Sequence, residues 1–232
     1  MKNILKLMRI KHYIKNLLIF FPLIFACKLT DSSMLLTSII GFCIFCLLSS
    51  VIYIINDIFD REKDRKHPTK SSRPIASGAV SVQKAILLAG SLLFVIIASC
   101  LICRYKAAEW LILILYFMLN VLYSIWLKNI PIVDIAILAS GFLFRVMFGA
   151  FITNIEISKW LYLTVVLMAF YLSLGKRRNE LVKQKDSMSR PVLQFYTVDF
   201  LDKNMYMCLA IGIVFYSLWT FDTLTIVRIG SS

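Results

Sequence analysis

The sequence predicts an all-helical bundle that crosses a membrane about seven times. Three observations predict it. Of the 232 residues, 59% are hydrophobic, against about 45–50% in an ordinary soluble domain, and the mean hydropathy is +0.79. The apolar residues gather in seven runs, most of them near the roughly 20 residues that a spanning helix needs. The basic residues lie in the short segments between those runs, as membrane-orienting charges do.

The runs are centred on 16–30, 34–56, 85–103, 108–127, 131–153, 160–175 and 205–221. The first is short and carries Pro22, which predicts a kinked or tilted helix. No small-residue cleavage site follows it, so it is read as structure and not as a removable signal. No soluble domain, long linker or internal repeat interrupts the pattern, and 1–232 is read as one transmembrane domain. The +13 formal charge resolves into loops and does not form one basic face, which argues against a nucleic-acid partner.

Lysine and arginine also give an orientation. Twenty of the 26 lie on one side: in the N-terminal segment, in 57–84, at Lys128 and in 176–204. Five lie on the other: Lys28, Arg104, Lys106, Lys159 and Arg228. The asymmetry predicts a cytoplasmic N-terminus, with both large basic loops beside it, in a multi-pass protein of the cytoplasmic membrane. Two cysteine pairs read CxxC (Cys43/Cys46 and Cys100/Cys103). Each lies in or at the end of an apolar run without matching histidines, so the cysteines are read as small packing residues.

The second run leads into Tyr53-Ile-Ile-Asn56-Asp57-Ile-Phe-Asp60-Arg61-Glu62-Lys63-Asp64. On a helix, Asn56, Asp60 and Asp64 fall on one face at i, i+4 and i+8, with Tyr53 beside them. Carboxylates that begin at membrane depth repel one another unless a cation joins them. Oxygen-only donors favour a hard ion such as Mg²⁺, which takes a few carboxylates together with substrate phosphates. Next comes His67-Pro68-Thr69-Lys70-Ser71-Ser72-Arg73-Pro74. The prolines break the helix and leave Lys70 and Arg73 on a loop that can fold back over the metal, with a point charge and a guanidinium fork for phosphate. His12 and His67 are read as loop residues.

The fifth run holds two intramembrane charges, Asp134 and Arg145. Eleven residues apart, they share a helix face yet stand roughly 16 Å from each other. Each therefore needs a partner elsewhere or a polar cavity. Gly141 and Gly149 share that stripe and predict close approach of a neighbour. The sixth run ends in Gly175-Lys176-Arg177-Arg178-Asn179-Glu180, a basic cap where a phosphate can dock.

The pattern Asn56-Asp57-x-x-Asp60-x-x-x-Asp64, followed by Arg73-Pro74-Ile75, resembles the first signature of the UbiA superfamily of membrane prenyltransferases. That resemblance implies a helical bundle with a lateral, lipid-facing cavity and Mg²⁺-bound diphosphate at its cytoplasmic end. Within the superfamily, the chain is most similar to the decaprenyl-phosphate phosphoribosyltransferase family. The similarity is carried by Arg9-x-x-x-x-x-Lys15-Asn16, His67-Pro68-Thr69-Lys70, Leu127-Lys128, Phe144-Arg145 and Gly175-Lys176-Arg177-x-x-Glu180-Leu181. That family moves a phosphoribosyl group from phosphoribosyl diphosphate to a polyprenyl phosphate, a step in making lipid-linked sugar precursors of the cell envelope.

The resemblance implies Asn56, Asp60 and Asp64 as Mg²⁺ ligands, with Asp57, Asp60 and Asp64 as the catalytic carboxylates. It places Lys15, Tyr53, Lys70 and Arg73 on the donor, and Lys128, Arg145, Lys176 and Arg177 on the acceptor phosphate. Asp134 and Glu180 are expected to support the cavity. Aromatic prenyltransferases of the superfamily carry a second aspartate-rich motif. Here that stretch is the basic Lys176-Arg177-Arg178, and Asp199 and Asp202 come too late to restore it. One acidic cluster among many cations suits two anionic substrates. The competing enzymatic reading is prenylation of an aromatic acid or quinone precursor. A cation transporter would need paired broken helices at midplane, which the sequence does not suggest. Family members have about nine spans, so this seven-span chain is expected to lack the last helices.

Overall fold

The computed structural model describes residues 2–183 and 191–230. Residues 184–190, within the second basic loop, lie outside it. The described residues form helices joined by short turns.

The chain opens with α1 (Lys2–Met8), a 3₁₀ segment (Ile10–Phe20) and the short α2 (Phe21–Phe25). This corrects the first expected span. The 16–30 run is not one kinked α-helix but a 3₁₀ segment that passes into five α-helical residues, with Pro22 in the first turn of α2, where its missing N–H costs nothing. The chain then turns at Cys27, whose φ is +55°.

Helix α3 (Ser32–Phe59) is capped by Asp31, whose carboxylate accepts from the N–H groups of Ser33 and Met34, both at 3.0 Å. Its 28 residues extend about 42 Å, longer than the roughly 30 Å hydrocarbon core, so the asparagine–aspartate end projects toward the membrane surface. Helix α4 (Arg61–Arg65) follows after a single residue, Asp60. The i to i−4 bonds from Asp60 to Asn56 (2.9 Å) and from Asp64 to Asp60 (2.8 Å) persist, so the helical phase is carried across the join.

Ser81 caps α5 (Val82–Ile102), and α6 (Ala107–Ile125) and α7 (Val133–Thr153) follow. Together with α3, these are the four described helices both long and apolar enough to span a bilayer. Helices α8 (Lys159–Lys183) and α9 (Val198–Thr220) are as long but carry more polar residues, and α10 (Thr223–Ile229) is short. On α5, Leu87, Phe94 and Ile102 are 76%, 74% and 81% exposed. Such a face is costly in water and natural against lipid.

Helix α3 is central, packing on α1, the 3₁₀ segment, α5, α6 and α7, while α8 pairs with α7 on one side and α9 on the other. One apolar cluster joins α3, α5, α6 and α7 around Phe45, Tyr116 and Phe148. A second joins α8 and α9 around Leu174, Leu193 and Leu201. Gly149 allows α7 to meet the N-terminal segment, since a Cβ there would collide with the Ile19 carbonyl. Gly141 plays a different part: a Cβ there would lie 3.4 Å from Nη1 of Arg145 on its own helix.

Candidate active site

A cavity of about 470 Å³ opens among α3, α6, α7 and α8, with the N-terminal 3₁₀ segment and the 65–80 loop at its mouth. It brings together nine of the fourteen residues singled out from the sequence: Lys15, Tyr53, Asn56, Asp60, Lys70, Arg73, Lys128, Arg145 and Lys176. Arg9 also lines it. Asp60 is the single carboxylate among seven lysines and arginines. A larger cleft of about 780 Å³ runs along the α8–α9 seam. It shares Leu172 and Lys176 with the first but reaches neither Asn56 nor Asp60, so the chemistry converges in the smaller space.

The acidic motif divides in two. Asn56 and Asp60 face the cavity, and Lys128 reaches Asp60 Oδ1 at 2.7 Å. Asp57, one residue on from Asn56 and so about 100° round the helix, is 2% exposed and ion-paired with Arg9 and, at 3.2 Å, with Arg73. Asp64, 3% exposed, holds Nη1 of Arg73 at 2.6 Å. Of the expected ligands Asn56, Asp60 and Asp64, the first two line this cavity, and Asp64 shares a small neighbouring pocket with Asp60, Lys70 and Lys128. Among the described residues no three His, Cys, Asp or Glu side chains converge on a point. Asp57 and Asp64 share Nη1 of Arg73, which holds that side chain on the wall of the cavity that Asn56 and Asp60 line.

The loop after α4 is held in place by its own hydrogen bonds. Arg65 Nε donates to the Ala76 carbonyl at 3.1 Å and Lys6 Nζ to that of Ser72 at 2.9 Å. His67 Nδ1 accepts from the Thr69 N–H at 3.3 Å and so closes the turn that presents Lys70. On the other wall, the guanidinium of Arg9 lies 4.7 Å from the centre of the Tyr53 ring.

Arg145 lies deeper, 7% exposed. Its Nε donates to Asn16 Oδ1 at 2.7 Å, Nη2 to the Tyr116 hydroxyl at 2.9 Å, and Nη1 to the Gly141 carbonyl. Neither Arg145 nor Lys15 has an acidic partner among the described residues.

Arg177 corrects a second expectation. It is 0% exposed, with Nε on Asp134 at 2.5 Å, Nη1 on Glu180 at 2.5 Å and Nη2 on the Tyr123 hydroxyl at 2.8 Å. An arginine so enclosed and neutralised does not reach an acceptor phosphate. Tyr196 completes the group, donating to Asp134 at 2.5 Å and accepting from the Ile132 N–H at 2.6 Å. Arg178 is held by Asp202. Of the basic run, only Lys176 lines the cavity.

Sequence reasoning passed over Asn16, Tyr116, Asn120 and Tyr123 as site residues. The last three stand at i, i+4 and i+7 on α6, a polar stripe inside an apolar helix that could have marked the wall.

Residues 17–227 match the UbiA prenyltransferase family. The chain belongs to that family. It is 32% identical to a decaprenyl-phosphate phosphoribosyltransferase of Corynebacterium glutamicum over 95% of this chain and 68% of the relative. It is 35% identical to one of Mycolicibacterium smegmatis over 79% of this chain and 58% of the relative. The chain thus spans about two thirds or less of these relatives' length. Among solved structures, a UbiA homolog from Archaeoglobus fulgidus bound to DMAPP and Mg²⁺ superposes with a TM-score of 0.79 at 19% identity, covering 97% of this chain and 82% of that one. A digeranylgeranylglyceryl phosphate synthase structure gives 0.69 at 20% identity, over 98% and 83%. The fold is that of a UbiA bundle, and the family is one of transferases.

Proposed function

We propose that this UbiA protein transfers a 5-phosphoribosyl group from phosphoribosyl diphosphate to a polyprenyl phosphate, releasing diphosphate. The observation that carries the reading is the charge of the cavity. Seven basic residues and one carboxylate line it, and two of the cations, Lys15 and Arg145, lack an acidic partner among the described residues. That surplus suits two phosphate-bearing substrates and exceeds what a prenyl diphosphate with a quinone precursor, or with the single carboxylate of an aromatic acid, would match. The names of the two bacterial relatives point the same way.

Asn56 and Asp60 offer oxygen donors on the cavity wall, a set that fits Mg²⁺, which takes one or two carboxylates plus substrate phosphates and water. When bound, the ion neutralises charge on the leaving diphosphate. Arg73, oriented by Asp57 and Asp64, together with Lys70 and Lys15, binds the donor phosphates. Tyr53 lines the same wall. Arg145, Lys128 and Lys176 hold the lipid phosphate so that one of its oxygens attacks the anomeric carbon as the bond to diphosphate breaks. That oxygen is already ionised, so the step requires no general base. Preorganised cations around the departing charge provide the main stabilisation.

Radiolabelled phosphoribosyl diphosphate, incubated with purified protein, Mg²⁺ and polyprenyl phosphate, should place label in the organic phase. Chelation or Asp60→Asn should reduce transfer by about 100-fold or more, the scale of losing a principal electrostatic group. Prenylation of an aromatic acid with no phosphoribosyl transfer would overturn the reading.

We further read the N-terminus and the cavity mouth as cytoplasmic, from the distribution of basic residues. A cysteine introduced by Ser71→Cys should react with an impermeant maleimide only after cells are permeabilised. The test uses a background in which the exposed native Cys27, Cys43 and Cys103 are replaced by serine, and labelling of Ser71→Cys in intact cells would then reverse the orientation.

A further inference from the structure

The surroundings of Arg145 are unusual for a buried arginine, because every hydrogen-bond acceptor around it is neutral. Asn16 is fully buried. Its Oδ1 accepts from Arg145 Nε at 2.7 Å, and its Nδ2 donates to Cys46 Sγ at 3.2 Å. A guanidinium has only donors to offer, so the amide must turn its oxygen toward Arg145 and its nitrogen toward the thiol. The Tyr116 hydroxyl and the Gly141 carbonyl take the other donors. The rings of Phe45 and Tyr116 stand 5.3 and 5.2 Å from the guanidinium carbon.

An uncompensated buried cation is expensive. Aspartate has nearly the shape of asparagine and would remove that expense at position 16 with a charge-assisted bond. The sequence carries the amide instead.

We propose that Asn16 is a positioning and specificity-determining residue, whose neutral amide fixes the Arg145 guanidinium while leaving its positive charge to a phosphate monoester in the cavity. The inference rests on the reading of Arg145 as the site of the acceptor phosphate. A carboxylate at 16 would be a permanent internal counter-ion that competes with that phosphate. A merely structural asparagine would not discriminate between the two substrates.

The test compares wild type, Asn16→Asp and Asn16→Ala, purified in detergent, with farnesyl phosphate as the binding probe. Asn16→Asp should melt at or above the wild-type temperature yet bind farnesyl phosphate about tenfold more weakly or worse, the scale of a charge-assisted phosphate contact. Its KM for phosphoribosyl diphosphate should stay within about twofold. Asn16→Ala, which loses orientation but keeps the charge, should weaken the probe less.

Wild-type affinity in Asn16→Asp, or an equal loss toward both substrates, would overturn the inference. So would a wild-type chain that fails to bind farnesyl phosphate. If Asn16→Asp does not fold, Asn16→Ala carries the test: a selective loss of farnesyl phosphate supports the proposal, and no loss or an equal loss defeats it. Asn16-dependent binding without any phosphoribosyl transfer would overturn the proposed function and leave this inference standing. Transfer without Asn16 dependence would do the reverse.

Discussion

Two arginines are buried among the described residues, and they are opposites. Arg177 on α8 meets two carboxylates, Asp134 and Glu180, and a tyrosine hydroxyl. Arg145 on α7 meets an amide, a carbonyl and a hydroxyl. Both are enclosed, but only one is neutralised. A buried charge that is fully paired is part of the scaffold, and removing one partner exposes the cost of the other. A buried charge given only neutral partners keeps its field for a ligand, and in a membrane protein such a residue is functional by default. Burial alone would have classed the two together, whereas the charge of their partners separates them.

The largest effect expected from this contrast is on stability. Arg177→Ala would leave the fully buried Asp134 without its cation, at a cost of about 3–5 kcal/mol, and the detergent-solubilised protein should melt far below wild type. Adding Asp134→Asn should recover much of the loss by removing the stranded charge. An Arg177→Ala protein that melts with the wild type would dissolve the distinction.

Arg145→Ala should act mainly on binding. Truncation strands no carboxylate, so the melting temperature should fall less than in Arg177→Ala. Losing a charge-assisted phosphate contact should cost about 1.5–3 kcal/mol, or roughly tenfold or more in KM for the lipid phosphate. The KM for phosphoribosyl diphosphate should change far less. Arg145→Lys should recover only part, because an ammonium lacks the guanidinium fork. Steady-state kinetics on folded protein decide it, and normal use of both substrates would make Arg145 structural.

The same contrast marks how much was legible in the sequence. Arg145 and Asp60 announced themselves as charges at or near membrane depth, Lys15 came only from the family resemblance, and the cavity brings the three together. Arg177 did not, because neighbours in a basic run look alike in sequence although they point about 100° apart on a helix. Lys176 faces the cavity and Arg177 faces Asp134. The same offset separates Asn56 from Asp57. The expected runs 34–56, 85–103, 108–127 and 131–153 match α3, α5, α6 and α7 closely, since apolar length and helix length coincide there. The runs 160–175 and 205–221 fall short of α8 and α9, whose helices continue into polar sequence. The 16–30 run failed because hydropathy reports where lipid or core is preferred, and not which backbone hydrogen-bond pattern the chain adopts.

The smallest expected effect belongs to Tyr196→Phe, and it asks whether the two arginine systems are separate. The Tyr196 hydroxyl donates to Asp134 and accepts from the Ile132 N–H. Burial, and after it the bond to Asp134, raises its pKa well above the usual phenol range, so it remains a donor at neutral pH. Ile132 has a φ of +68°, a positive-φ conformation that a β-branched residue adopts only under constraint; the tyrosine bond is one such constraint. Phenylalanine removes that bond but leaves Arg177 on Asp134, and the exposed Ile132 can turn to water. The cost should stay near one net hydrogen bond, about 0.5–1.5 kcal/mol, visible as a small drop in melting temperature. Because Tyr196 touches neither Asn16 nor Arg145, the KM for polyprenyl phosphate should remain within about twofold of wild type. Tyr123 is a route for a larger effect, since it both accepts from Arg177 and lines the cavity. A tenfold rise in that KM would mean that the paired arginine sets the shape of the acceptor site through Tyr123, and that scaffold and binding site are one network.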